Sequence, residues 1–146
     1  MLVTARDRSG NAASGSVAFT IDRIPPVVEI LSPPAGVSLP SALPFSIAFR
    51  TRDNDGATGD VLHEVVRLDG CTIYDGFAYG DQDGLLGDET LVLDREELCR
   101  ISNLCGFGRL QDPEIRIEAR DCGGNVGFAA RTLRGSLALR PGVCAQ

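Results

Sequence analysis

Two short stretches of this chain carry oxygen donors at a spacing suited to a hard cation. Asp53-Asn54-Asp55-Gly56-Ala57-Thr58-Gly59-Asp60 and Asp81-Gln82-Asp83-Gly84-Leu85-Leu86-Gly87-Asp88 share the pattern D-x-D-G-x-x-G-D. Calcium takes several hard oxygen ligands, and alternating carboxylates on a tight Gly turn can supply them. The EF-hand template does not fit, because Gly sits one place after the second Asp and no consistent terminal Glu follows. Asp and Gly are also favoured in ordinary turns between strands, so each loop alone reads either way.

The other reactive residues are five cysteines and one histidine. Cys71, Cys99, Cys105, Cys122 and Cys144 include no C-x-x-C pair, which argues against a zinc ribbon or a thioredoxin-like site. This many cysteines fits an oxidising compartment. Two disulfides are expected among Cys71, Cys99, Cys105 and Cys144. Three connectivities are open, with Cys71–Cys105 plus Cys99–Cys144 preferred, and Cys122 is expected to stay a thiol outside both bridges. His63 stands beside Glu64 with no recognisable nucleophile motif, so it reads as structural and no catalytic residue is assigned. Gly123-Gly124-Asn125 is a turn; the Gly-Lys-Ser/Thr of a phosphate loop does not follow.

The formal charge is −6, and every cation is Arg. An acidic surface is a poor match for nucleic acid or anionic lipid, and no apolar run is long enough to span a membrane. Without Lys, no Lys–Asn isopeptide crosslink can form within this chain. Residues 1–7 lack the basic-then-apolar order of a signal peptide. There is no Trp, and Tyr74, Phe77 and Tyr79 form the one aromatic cluster. They are expected in the core, with Tyr79 beside Asp81 the alternative border of a calcium-dependent sugar site.

These residues must be positioned by strands. Ala5-Arg6-Asp7-Arg8-Ser9-Gly10-Asn11 reappears as Ala119-Arg120-Asp121-Cys122-Gly123-Gly124-Asn125. Each copy follows an alternating apolar run (Leu2, Val3, Ala5; Ile115, Ile117, Ala119) and precedes another (Val17, Phe19, Ile21; Val126, Phe128, Ala130). That is strand, Gly/Asn turn, strand: a β-hairpin. The copies lie roughly 114 residues apart, about the length of one β-sandwich repeat. Further strands are expected at residues 27–31, 45–49, 61–68, 72–79 (broken), 90–93, 114–120 and 126–133. Asp94, with Glu97 three residues on, suggests a capping box opening one short helix whose Leu98 and Ile101 share a face. About seven short strands with frequent turns favour an all-β, antiparallel sandwich.

At this point the chain resembles the bacterial Ig-like tandem repeats (cadherin- and fibronectin-III-like) of large surface and secreted proteins. The resemblance rests on A-x-D-x-x-G-N at Ala5–Asn11 and on Thr20-Ile21-Asp22-Arg23-Ile24-Pro25-Pro26-Val27-Val28-Glu29-Ile30. It covers residues 1–31 well and 115–133 moderately, and it speaks to architecture more than to task. It implies a terminal hairpin of a truncated preceding repeat at 1–22, a Pro-rich linker at 23–26, one complete Ig-like sandwich at 27–139 and a tail at 140–146. In such a sandwich alternate loops share an end. Loops 53–60, 81–88 and 121–125 then gather where the chain enters, with Asp22 arriving there too. Asp22, Asp53, Asp55, Asp60, Asp81, Asp83, Asp88 and Asp121 together would repel strongly without a cation. By analogy with cadherin-like repeats, an inter-repeat Ca2+ site is expected to stiffen the junction.

The leading expectation is a non-enzymatic extracellular module, a spacer or adhesive element whose partners are neighbouring repeats. Self-association through residues 1–22 is a further expectation, since a lone hairpin is marginal in water. The alternative is a carbohydrate- or protein-binding accessory domain of a secreted hydrolase.

Overall fold

The computed structural model describes residues 2–18, 21–39, 43–53, 61–76, 88–106 and 108–138. Eleven strands and one helix follow in order: β1 (Leu2–Arg6), β2 (Ala12–Ser16), β3 (Val27–Ser32), β4 (Phe45–Arg52), β5 (Val61–Leu68), β6 (Cys71–Gly76), β7 (Glu89–Leu93), α1 (Arg95–Cys105), β8 (Arg109–Gln111), β9 (Glu114–Asp121), β10 (Val126–Thr132) and β11 (Ser136–Ala138). A three-stranded sheet, β3-β4-β7, packs against a four-stranded sheet, β10-β9-β5-β6. All the pairings within them are antiparallel. The chain crosses between sheets after β4, β6 and β7, the connectivity of an Ig-like sandwich. A small β8–β11 pair lies outside the two sheets. No helix among the described residues is long and apolar enough to cross a membrane.

Alternation builds the core. Along β4, Phe45, Ile47 and Phe49 point inward while Ser46, Ala48 and Arg50 are more exposed. Along β9, Ile115, Ile117 and Ala119 do the same. Val66 and Leu68 of β5, Leu93, and Leu98 and Ile101 of α1 complete the interior. Pro33 and Pro34 follow the end of β3 and Pro44 precedes β4, where missing amides cost no ladder bonds.

The helix runs to Cys105, one turn past the Leu98 and Ile101 that mark its inward face. Asp94 caps it, its Oδ1 accepting the Glu97 amide at 2.8 Å. The reciprocal half of a capping box does not form, because the Glu97 carboxylate pairs with Arg100 instead (Nε to Oε2, 2.8 Å). Gly106, at φ 73°, closes the helix in the left-handed region that glycine tolerates best. The helix packs on β6 and β7 at the end of the sandwich opposite the one where the chain enters. There Cys71 bonds to Cys105, with Cα atoms 5.9 Å apart. Cys99 is disulfide-bonded too, while Cys144 lies outside the described residues. Cys122 is exposed on the β9–β10 turn.

The β1–β2 hairpin differs from expectation in its second strand, which spans Ala12–Ser16 and ends before Val17 and Ile21. The turn fixes the register at Arg6 opposite Ala12, and the ladder runs out where Leu2 meets Ser16. All residues of β1 and β2 are exposed.

Candidate metal centre

The inward-facing stripes of the sandwich turn polar at the end where the chain enters. On β4 the inward parity continues from Phe49 to buried Thr51 and then to Asp53. On β9 it continues from Ala119 to Asp121, which is 1% exposed. On β5 it reaches Glu64, also 1% exposed. Asp22 arrives on the linker. Asp22, Asp53 and Asp121 each place one carboxylate oxygen within 4.8 Å of the others'.

The β9–β10 turn holds this arrangement. The Asn125 backbone N–H donates to Asp121 Oδ1 at 2.8 Å and its side-chain amide to Asp121 Oδ2 at 2.8 Å. The same amide reaches the Asp22 carbonyl and Asp22 Oδ2, each at 3.4 Å. Asp22 Oδ1 accepts the Ile24 amide at 2.9 Å, bending the linker back on itself. A Cβ on Gly123 would lie 3.2 Å from the Asp22 carbonyl and 3.3 Å from Asp121 Oδ1, so glycine there admits the linker. The linker then runs hard over β10: a Cβ on Gly127 would stand 1.8 Å from the Pro26 carbonyl oxygen. Pro26 itself is buried.

Both oxygens of Asp53 are shielded from solvent. Among the described residues, the donors reaching Asp22 and Asp121 are neutral amides. Carboxylates this close repel by about 3 kcal/mol per pair at an effective dielectric near a protein surface. A divalent cation would reverse that sign, and the donor set (carboxylate oxygens from three segments, with the Asp22 carbonyl alongside) is the hard-oxygen chemistry calcium takes.

Of the other expected ligands, Asp88 alone lies among the described residues, and it is not part of this triad. Asp88 forms an ion pair with Arg50 at 2.6 Å, and Arg50 in turn lies 3.8 Å from Glu29. Asp55, Asp60, Asp81 and Asp83 lie outside the described residues, as do Phe77 and Tyr79. Tyr74 is half-buried against the core. His63 pairs across the sheet with Asp75, Nε2 to Oδ1, at 2.7 Å.

The repeated motif forms the same turn twice. In the hairpin the Asn11 amide donates to Asp7 Oδ1 (2.9 Å), the Asn11 side chain to Asp7 Oδ2 (2.8 Å), and Gly10 N–H to the Asp7 carbonyl (3.2 Å). The last of these recurs at 3.2 Å from Gly124 to Asp121. Four amide contacts, from Asn11, Ser9 and Gly10, lower the Asp7 pKa.

Glu64 was not singled out in the sequence. Burial raises its pKa most, with Glu89 adding repulsion, against the Thr51 hydroxyl that donates to it and the nearby His63. An acid whose folded pKa is raised contributes stability at low pH that is lost as pH climbs through that pKa. Glu64→Gln, which keeps the acceptor for Thr51, is therefore expected to be neutral near pH 4 and stabilising near pH 8 by comparison with the parent chain. Urea midpoints across that range measure it; a parallel pH dependence in both chains would contradict the assignment.

No protein-family model matches the chain. No curated protein matches it either.

Proposed function

We propose that this chain is a non-enzymatic extracellular Ig-like module that serves as a spacer or adhesive element in a repetitive surface or secreted protein of bacterial type. Calcium held by Asp22, Asp53 and Asp121 fastens the entering linker to the sandwich and stiffens the junction with the preceding repeat. The convergence of these three carboxylates from linker, β4 end and β9 end carries the reading.

The duplicated turn supports the tandem part of it. Val3 and Ala5 stand where the second copy has Ile117 and Ala119. Ile117 is fully buried and Ala119 1% exposed, whereas Val3 is 53% exposed. A hairpin with that much apolar surface uncovered calls for the rest of a sandwich, supplied by the preceding repeat or by a second copy. The disulfides fit an oxidising exterior. His63 has Asp75 as its partner, an arrangement that ties two strands together.

Isothermal titration calorimetry tests the calcium clause. One calcium should bind the parent chain, and Asp53→Asn should weaken binding at least about tenfold, since it removes a full charge from a shielded ligand. Absence of calcium binding to the parent chain would return the triad to a set of turn residues.

The second reading, a ligand-binding accessory domain, draws its support from a different surface, the outer face of the four-stranded sheet.

A further inference from the structure

That outer face carries three arginines, Arg67, Arg116 and Arg120, on two adjacent strands. His63, Val65 and Arg67 of β5 lie beside Arg116, Glu118 and Arg120 of β9, with Val126 and Phe128 of β10 at the margin. A shallow pocket of about 250 Å³ opens among His63, Arg67, Asp75, Glu118, Arg120 and Val126.

Its charges are not equivalent. Glu118 Oε1 is held between Arg67 (2.7 Å) and Arg116 (2.8 Å), and both arginines lower its pKa. The Arg116 guanidinium lies over the Phe128 ring, 4.2 Å from its centre, and leaves the residue 58% exposed. Asp75 is engaged by His63. Arg120 is exposed, stands opposite His63 in the β5–β9 register, and forms no ion pair among the described residues. Arg67, Arg116 and Arg120 are matched on this face by Asp75, Glu114 and Glu118, but Asp75 and Glu118 already have partners, which leaves Arg120 as the pocket's arginine without an ion pair among the described residues.

We propose that this pocket binds the carboxylate of an acidic sugar residue, with Arg120 as its principal partner. A guanidinium with its fork unoccupied matches a carboxylate in a bidentate way. The fixed carboxylates of Glu118 and Asp75 can accept from sugar hydroxyls, and the exposed parts of Phe128 and Val126 offer apolar surface to a ring. A peptide is disfavoured because β9 is paired on both sides, by β5 and β10, so the pocket offers no backbone ladder to an extended segment. The pocket also has room for a single unit rather than for a run of side chains.

The test uses the intact chain with chelator present, so that calcium at the triad plays no part. Oligogalacturonate is titrated against it, alongside a neutral glucose oligomer and polyglutamate of similar length. Binding is expected for oligogalacturonate alone. Arg120→Gln should weaken it about tenfold or more, Arg120→Lys less, and Arg134→Gln, at the far end, not at all. Amide shift changes in the parent chain should centre on His63, Arg120 and Val126, a readout that does not depend on any variant folding. The proposal is overturned by absence of oligogalacturonate binding, or by equal binding of the neutral oligomer. Equal binding of polyglutamate would make the partner an acidic protein, and equal loss in Arg134→Gln would reduce the effect to diffuse charge; either result also overturns it.

Discussion

Truncating Phe49 to alanine is expected to cost about 3–5 kcal/mol. Phe49 is fully buried on β4, the central strand of the three-stranded sheet. Its neighbours on the inward stripe are Ile47 and Thr51, both buried. β4 is pinned on both edges, with Phe49 opposite Ile30 on β3 and Glu89 on β7. A strand held that way cannot sink to fill the void, so the cavity term adds to the lost transfer energy. Domains of this kind are stable by roughly 5–15 kcal/mol, so the variant should sit near the edge of folding at 37 °C. Urea unfolding with an unchanged m-value measures the loss. A cost below about 1 kcal/mol would mean that Phe49 is not in a packed interior.

Removing the Cys71–Cys105 bridge should have a comparable effect. The bridge joins residues 34 apart in sequence, and closing a loop of that length restricts the unfolded chain by about 3–4 kcal/mol in the entropy account. It also ties the last residue of α1 to the first of β6. Without it the helix depends on Leu98 and Ile101 for its anchorage and on Asp94 and Gly106 for its ends. The clean comparison is the double variant Cys71→Ala/Cys105→Ala under oxidising conditions, since a reductant would also open the bridge at Cys99. Thermal melts should show the loss. A melting temperature equal to the parent's would mean that the bridge contributes nothing to stability.

The sandwich was legible in the sequence because alternation is its direct imprint. Phe45, Ile47 and Phe49, or Ile115, Ile117 and Ala119, name a buried face without any knowledge of neighbours. The same parity, carried through Thr51 on one strand and one step further on the other, gives Asp53 and Asp121, and the chain's approach adds Asp22. An acidic pattern says nothing about the Arg50 that meets Asp88 across the β4–β7 pairing. In the hairpin, Val17 and Ile21 looked like strand residues, yet the Asp7–Asn11 turn dictated the register and left them beyond its end. Val126 and Phe128 fall on a strand as their alternation implied, on its outer face, where they are 43% and 58% exposed.

The rest depends on register. A bulge between Val61 and His63 switches parity, so Val61 and Glu64 both face inward and His63 outward. A simple alternating count would assign Val61 and Glu64 to opposite faces. The outer pocket joins residues near 63, 75 and 120 through two strand pairings that a single sequence does not encode visibly. Glu64 had one signal, the spacing Glu64, Val66, Leu68, which marks a carboxylate on a buried stripe.

The central claim is that Asp22, Asp53 and Asp121 are a cation site that clamps the linker. The most direct measurement is the melting temperature of the parent chain and of Asp121→Asn, each with calcium and with excess chelator, under non-reducing conditions. At calcium about a hundredfold above its dissociation constant, linkage predicts a gain near 2.7 kcal/mol, a rise on the order of 10 °C. That rise should appear in the parent chain and vanish in Asp121→Asn, whose melting in chelator should be equal to or above the parent's once a like charge is gone. Equal melting of the parent chain with and without calcium would contradict the account.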